Sequence, residues 1–393
     1  MNSVYNCFDS KQVSPCSYQS WYTTFWLVLL GLLISNTATA LPITNTQKKE
    51  FTKTIKKEFG ITAEGTTSIR NKYGAIDVKT WDKSRVKIET VILVNARSES
   101  EAQDVFDRIS INFTNSSDYV QATTEIESQQ SGWWNWSDSK SDYSINYTVF
   151  LPKTNDIDLI NKYGNVNAEA INGSAKVAVK YGNLRLEGIG KNATIDLGYG
   201  NGTVGTARDV TSEVSYGRIL FRETQQLDMT SKYSKVTIDK AQSIRSVTKY
   251  DTYKITEVQD FRNNGKYDSF DIGYVDNIVV STKYTEVYAE TVGNSLDLDL
   301  VYGSATVEQV TRDFADVRLV GSYADFKIQV EDGADYRMEA VANYAGIRYP
   351  EDLEVTYEKE KGSYHEVNGH RGTGRIKSVI KARLNYGALK VRH

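Results

Sequence analysis

Three features of the sequence bring together residue types capable of chemistry. The segment His365-Glu366-Val367-Asn368-Gly369-His370 has the composition of a zinc-hydrolase motif, in which two histidines one helical turn apart hold the metal and a glutamate is the general base. Here the histidines are five positions apart instead of four, and Gly369 weakens the helix that would present them, so the segment reads as a polar loop. The remaining histidine, His393, is the final residue. Gly200-Asn201-Gly202-Thr203-Val204-Gly205 spells a dinucleotide fingerprint, but the fingerprint needs a following helix whose N-terminus meets the phosphates, and another strand pattern follows instead. Carboxylates are plentiful, so close pairs of the kind used in glycoside hydrolysis are inevitable and single out no residue. No catalytic residue, cofactor or metal site is expected.

Two surface features suit binding better. Lys232, Lys249, Lys266 and Lys283 recur at one constant interval, each just before a tyrosine. If the repeats stack as strands, these lysines form a column of cations about 4.8 Å apart, which fits an acidic glycan or a lipopolysaccharide phosphate. The competing reading is a solvated charged face, with Asp251 and Asp268 close enough to offset part of the charge. The insertion Gly132-Trp133-Trp134-Asn135-Trp136 holds three of the six tryptophans. Trp133, Trp134 and Trp136 suit stacking on sugar rings or a membrane interface if exposed, and otherwise cover the first repeats.

The elements that must position these residues are set by an internal repeat. Tyr163, Tyr181, Tyr199, Tyr216, Tyr233, Tyr250, Tyr267, Tyr284 and Tyr302 follow one another at a near-constant interval, and Tyr323 and Tyr344 continue the series at a slightly wider one. Tyr73 and Tyr386 carry the same signature near the two ends. Apolar residues alternate on either side of each tyrosine, as in Val177, Val179, then Leu184, Leu186, so each unit is strand, tight turn, strand and looser turn. A lone unit cannot bury its apolar face, whereas stacked copies share a continuous core. The expected fold is therefore an all-β parallel β-helix, or β-solenoid, with rungs of about 17–21 residues. At the spacing of paired strands, the eleven turns from Tyr163 to Tyr344 span roughly 50 Å. Hairpins in an antiparallel array fit the constant unit less well, and a membrane barrel needs longer strands.

The tyrosines are expected to form a structural ladder, stacked ring on ring. The glycines after them, at 74, 164, 182, 200, 217, 303 and 387, are expected to supply a positive φ, which Ser234, Asp251 and Asp268 tolerate in part and Thr285 does not. Ahead of the repeats, Ser98-Glu99-Ser100-Glu101 is a capping box opening a helix with Ala102, Val105, Phe106 and Ile109 on one face, placed to cover the solenoid's first end.

Composition bounds the rest. Forty-seven basic residues against 50 acidic leave a net charge of -3, which gives no overall field for nucleic acid or an anionic membrane. Both cysteines, Cys7 and Cys16, precede the apolar stretch Phe25 to Ile34, which runs out into Ala38-Thr39-Ala40, a signal-peptide pattern with cleavage expected before Leu41. An uncleaved anchor is the second reading, weakened by the shortness of the stretch. The mature chain then has no thiol, which excludes disulfides, thiolate zinc sites and cysteine nucleophiles. The expected organisation is signal peptide 1–40, first rung and helix cap 41–130, aromatic insertion and entry strand 131–156, solenoid repeats 157–350, and a C-terminal loop with a closing rung 351–393.

The opening rung Ile69-Arg70-Asn71-Lys72-Tyr73-Gly74-Ala75-Ile76-Asp77-Val78, Trp81-Asp82, Val86-Lys87-Ile88, the helix at 101–109, Leu151-Pro152 and Asn385-Tyr386-Gly387 resemble a family of adhesin-like β-strand-repeat proteins of bacterial envelopes whose activity is not established. The resemblance implies a β-helix, right-handed, and covers nearly all the mature chain. The long tyrosine-rich run and the insertion at 132–136 depart from it. The functional expectation is a non-catalytic, exported structural or adhesin-like module, in the periplasm or on the surface of a Gram-negative-type bacterium, with envelope glycans or proteins as partners and no nucleic acid. A β-helical polysaccharide lyase or hydrolase is the alternative; it would gather acids and cations into one cleft.

Overall fold

The computed structural model describes residues 47–127, 142–373 and 376–393. From Lys48 to His393 they form one compact β-solenoid with a single short helix. Through the middle of the chain each strand, such as Asn201–Ser215, Arg218–Lys232, Lys235–Lys249 and Thr252–Lys266, pairs in parallel with the next, every residue against its counterpart one repeat later. Within a rung the inward side chains alternate, as in Leu227, Met229, Val236, Ile238 and Ala241, all buried. Each of the larger ones contributes about 1.5–3 kcal/mol on burial. Along the axis equivalent positions stack in register, Val236 on Tyr253 on Phe270, with the Tyr253 and Phe270 rings 5.4 Å apart.

The tight corner is built differently from the sequence expectation. The positive φ belongs first to the tyrosine itself: thirteen tyrosines, Tyr73 to Tyr386, have φ between 51° and 63°. Of the glycines that follow them, Gly74 and Gly387 also have a positive φ, at 158° and 134°, while those at 164, 182, 200, 217 and 303 do not. The tyrosine conformation costs an L-residue roughly 1–2 kcal/mol. It is offset by stacking, because the rings form one column with centroids 4.6–5.1 Å apart and planes within 13°, and such pairs add about 0.5–1.5 kcal/mol each. The following glycine is needed for close approach. A Cβ on Gly164 would lie 1.8 Å from the Gly74 carbonyl oxygen, and one on Gly182 would lie 1.9 Å from that of Gly164.

The order of rungs along the axis is not the order of the chain at either end. The strand Ser378–Arg392 lies between Asp316–Val330 and Tyr336–Arg348, parallel to both. The Tyr386 ring accordingly sits between Tyr323 at 4.6 Å and Tyr344 at 5.0 Å. The expected closing rung is thus an inner rung, and the expected C-terminal loop is largely a hairpin, Glu354–Lys361 with Tyr364–Arg371, laid antiparallel on Tyr336–Arg348. The outer strand of that hairpin is exposed throughout and rich in Glu and Lys, which discourages pairing with other chains. At the other end the rung of Tyr73 is held between Asp156–Lys162 on one side and Tyr119–Ile126 on the other.

The helix spans Glu99–Asp107 and packs on the strands Arg85–Ala96, Ile109–Asn115 and Lys49–Gly60. Ser98 accepts from the Glu101 amide as the capping box predicts, and the Glu101 carboxylate accepts from the Arg97 amide at 2.8 Å. Ala102 and Phe106 are buried, but the helix stops before Ile109, which is buried instead at the start of the next strand.

Candidate functional site

The tyrosine corner carries the side chains most suited to binding. Because the rings between the two ends of the column are covered on both faces by their neighbours, the column offers water chiefly its edges and hydroxyls; twelve of the rings are 40–64% exposed, Tyr344 at one end the most. The residue before each tyrosine points outward beside the ring, and parallel pairing aligns these positions from rung to rung. Lys232, Lys249, Lys266 and Lys283 are brought into one file, as expected. All four are exposed. Among the described residues none has a carboxylate oxygen within 4.0 Å. Neighbouring like charges at this spacing repel by about 1 kcal/mol in water, so the file is held against its own field.

The file is longer than those four. Lys72, Lys162 and Lys180 occupy the same register position beside Tyr73, Tyr163 and Tyr181, marked in the sequence by the same Lys-Tyr dipeptide. The ammonium groups of Lys72, Lys162 and Lys249 lie 4.6, 4.9 and 5.4 Å from the adjacent ring centres. Only Gly198 and Ser215 interrupt the alignment between Lys180 and Lys232. On the other flank of the rings, Arg218 and Lys235 stack in register and line a shallow cavity with Tyr199, Tyr216, Tyr233 and Tyr250. Their place became visible only through the register, since no dipeptide marks it. Further toward the N-terminus that flank is an asparagine ladder: the Asn165 side-chain oxygen accepts from the Asn183 amide at 2.9 Å, and Asn183 accepts from the Asn201 amide at 3.1 Å.

Asp251 and Asp268 do not offset the lysines, contrary to expectation. They point into the core and are 3% and 5% exposed. The Asp251 carboxylate accepts from the Ser234 amide at 2.7 Å, the Ser231 hydroxyl at 2.8 Å and the Lys249 amide at 3.0 Å. Asp268 accepts from the Thr248 hydroxyl at 2.7 Å and the Asp251 amide at 2.9 Å. The Thr285 hydroxyl accepts from the Asp268 amide at 3.3 Å. Residues 251, 268 and 285 therefore do one job: each satisfies the corner amide of the rung before it. This accounts for Thr285, which glycine-like tolerance could not. Burial pushes the Asp268 carboxyl up to about 6 and Asp251 upward as well. It also drives the Tyr253 hydroxyl, bonded to Ser231 at 2.7 Å, well above its ordinary range.

The remaining candidates are placed as follows. His365 and His370 lie on the strand Tyr364–Arg371 and not on a loop or helix, with Glu358 at 2.9 Å and Glu354 at 3.3 Å respectively. Among the described residues no cluster of three His, Cys, Asp or Glu is arranged to hold a metal. Gly202 and Gly205 lie in the strand Asn201–Ser215, with no helix after the turn. Trp133, Trp134 and Trp136 and the leader fall outside the described residues. No described helix is long and apolar enough to cross a membrane.

No protein-family model and no curated protein matches the chain. Among solved structures, one described as a putative cell adhesion protein from Clostridium sporogenes is similar over 88% of this chain and 99% of its own, at 8% identity and a TM-score of 0.18, too slight a likeness to carry an argument.

Proposed function

We propose that this chain is an exported, non-catalytic interaction module, periplasmic or surface-exposed, that binds linear acidic polymers, envelope glycans first, along its tyrosine and lysine corner. The observation that carries the reading is the file of uncompensated lysines, held in register beside a continuous row of phenol hydroxyls. An extended acidic glycan repeats its charges and hydroxyls along one axis, and this corner repeats ammonium groups and hydroxyls along one axis. Nucleic-acid bases need open aromatic faces, and along the column these faces are covered by the neighbouring rings. The contacts are spread along a rod and not gathered in a cleft, which favours adhesion over catalysis. The resemblance of the opening rung to adhesin-like envelope proteins points the same way.

Retention on an immobilised polyuronate tests the reading in both directions. Replacing Lys232, Lys249, Lys266 and Lys283 with glutamine should lower the salt needed for elution. Filling the gaps with Gly198→Lys and Ser215→Lys should raise it; a Cβ at Gly198 meets nothing closer than the Lys180 Cγ at 3.6 Å, so a side chain can start there without a backbone clash. Elution unchanged in both variants would remove the corner from the binding surface.

A further inference from the structure

The tyrosine column has a property that does not depend on what the corner binds. Thirteen phenols are stacked without a break from Tyr73 to Tyr344, each ring 4.6–5.1 Å from the next. Phenol is among the most readily oxidised side chains, and rings in face-to-face contact exchange electrons rapidly. The hydroxyls lie at a water-exposed corner, so the proton that must leave an oxidised phenol has an exit. The column is also electrically uneven. Removing an electron from a ring is harder with a cation beside it, and lysines accompany Tyr73, Tyr163, Tyr181, Tyr233, Tyr250, Tyr267 and Tyr284. The last four rings in the stack are Tyr302, Tyr323, Tyr386 and Tyr344. They follow Val301, Ser322, Asn385 and Asn343, and on their other flank stand Ser304, Asp325, Ala388 and Gly346. None of these eight positions carries a cation. Tyr199, between Gly198 and Asn201, is the one earlier ring without a cation at either position, and it is a single ring held between Tyr181 beside Lys180 and Tyr216 beside Arg218.

We propose that the tyrosine column is a redox conduit, in which a vacancy created at any ring by a one-electron oxidant migrates along the stack and collects on Tyr302, Tyr323, Tyr386 and Tyr344. Each primary event takes one electron from a phenol, which releases one proton to water and becomes a tyrosyl radical while the oxidant is reduced. Each hop moves one electron from a neutral phenol to the neighbouring radical, and one proton follows through water, so the radical and the phenol exchange places. Two radicals that meet couple through their ortho carbons. Each ring then shifts its ring hydrogen to oxygen, leaving a dityrosine.

Azide radicals generated by pulse radiolysis oxidise the full chain one electron at a time, and peptide mapping locates the dityrosine and other tyrosine products. Tyr274 and Tyr288, 38% and 41% exposed and outside the stack, serve as internal references. The expected result is a several-fold excess of product on the four C-terminal rings over the references. Tyr284→Phe keeps a ring in the stack but removes the phenol, doubling the hop between Tyr267 and Tyr302. It should move product back to Tyr267 and earlier rings and leave Tyr274 and Tyr288 unchanged. Circular dichroism checks that the variant folds, and Tyr267→Phe, which places the gap one rung earlier, repeats the test if it does not. Product distributed according to exposure in the parent, and unmoved by either phenylalanine, would overturn the proposal.

Discussion

Gly182→Ala is expected to destabilise the solenoid by more than about 3 kcal/mol, far beyond the usual cost of a glycine-to-alanine change. The added Cβ would lie 1.9 Å from the Gly164 carbonyl oxygen and 2.6 Å from its carbonyl carbon, both backbone atoms locked in the ladder. Relief requires the rungs of Tyr163 and Tyr181 to separate, which breaks the ring stack between them. Gly198→Ala, just ahead of a corner tyrosine, meets only a flexible lysine side chain and should change stability by about 0.5 kcal/mol or less. Denaturant midpoints of the two variants decide the matter. Equal midpoints would return the glycine to a conformational role and refute the close-approach account.

The buried acids should make the solenoid less stable as pH rises from about 4 to about 6. In the unfolded chain Asp268 titrates near 3.8, and in the folded chain near 6. Between these values the folded state binds more protons than the unfolded state, so stability falls with increasing pH across the window and is fully lost from this source above it. The shift corresponds to about 3 kcal/mol, with Asp251 acting in the same sense. Asp268→Asn retains a carbonyl for the Asp251 amide but cannot ionise. Its stability difference between pH 4.5 and pH 7, read from urea unfolding, should shrink by about 2 kcal/mol, the part of the full shift that falls inside that interval. A variant as pH-dependent as the parent would show that the dependence arises elsewhere, at Asp251 first; Asp352 and Glu89, whose carboxyls are held low by Arg371 and Lys87, act with the opposite sign and cannot be its source.

Strands, repeat length and ring stacking were legible because they follow from local alternation and a fixed spacing. What happens at the corner was not. Glycine beside tyrosine made glycine the natural bearer of the positive φ, yet the constraint on glycine is contact with the rung below, which only the stacked backbone reveals. A left-handed residue also swings the chain so that alternation cannot be carried across it. That is why Asp251 and Asp268 read as surface partners of the lysines and are core residues instead. The lysine file was readable in its consecutive block, and the same dipeptide marked Lys72, Lys162 and Lys180. Arg218 and Lys235 required the register between rungs. The insertion of Ser378–Arg392 between two earlier rungs leaves no local trace, since a strand's neighbour across the axis is a tertiary choice.

That insertion, with its counterpart at Tyr73, limits how such a molecule can change in size. The strand Ser378–Arg392 and the rung of Tyr73 each already have a strand on both sides, so neither is a place where the stack can be lengthened. Between Tyr199 and Tyr284, where consecutive tyrosines are all equally spaced, a duplicated or deleted block passes through the register unnoticed by the ends. Each block changes the reach by one strand spacing, about 4.8 Å. Length is thus a free parameter, set by copy number alone, in a ruler whose two end-pieces stay the same.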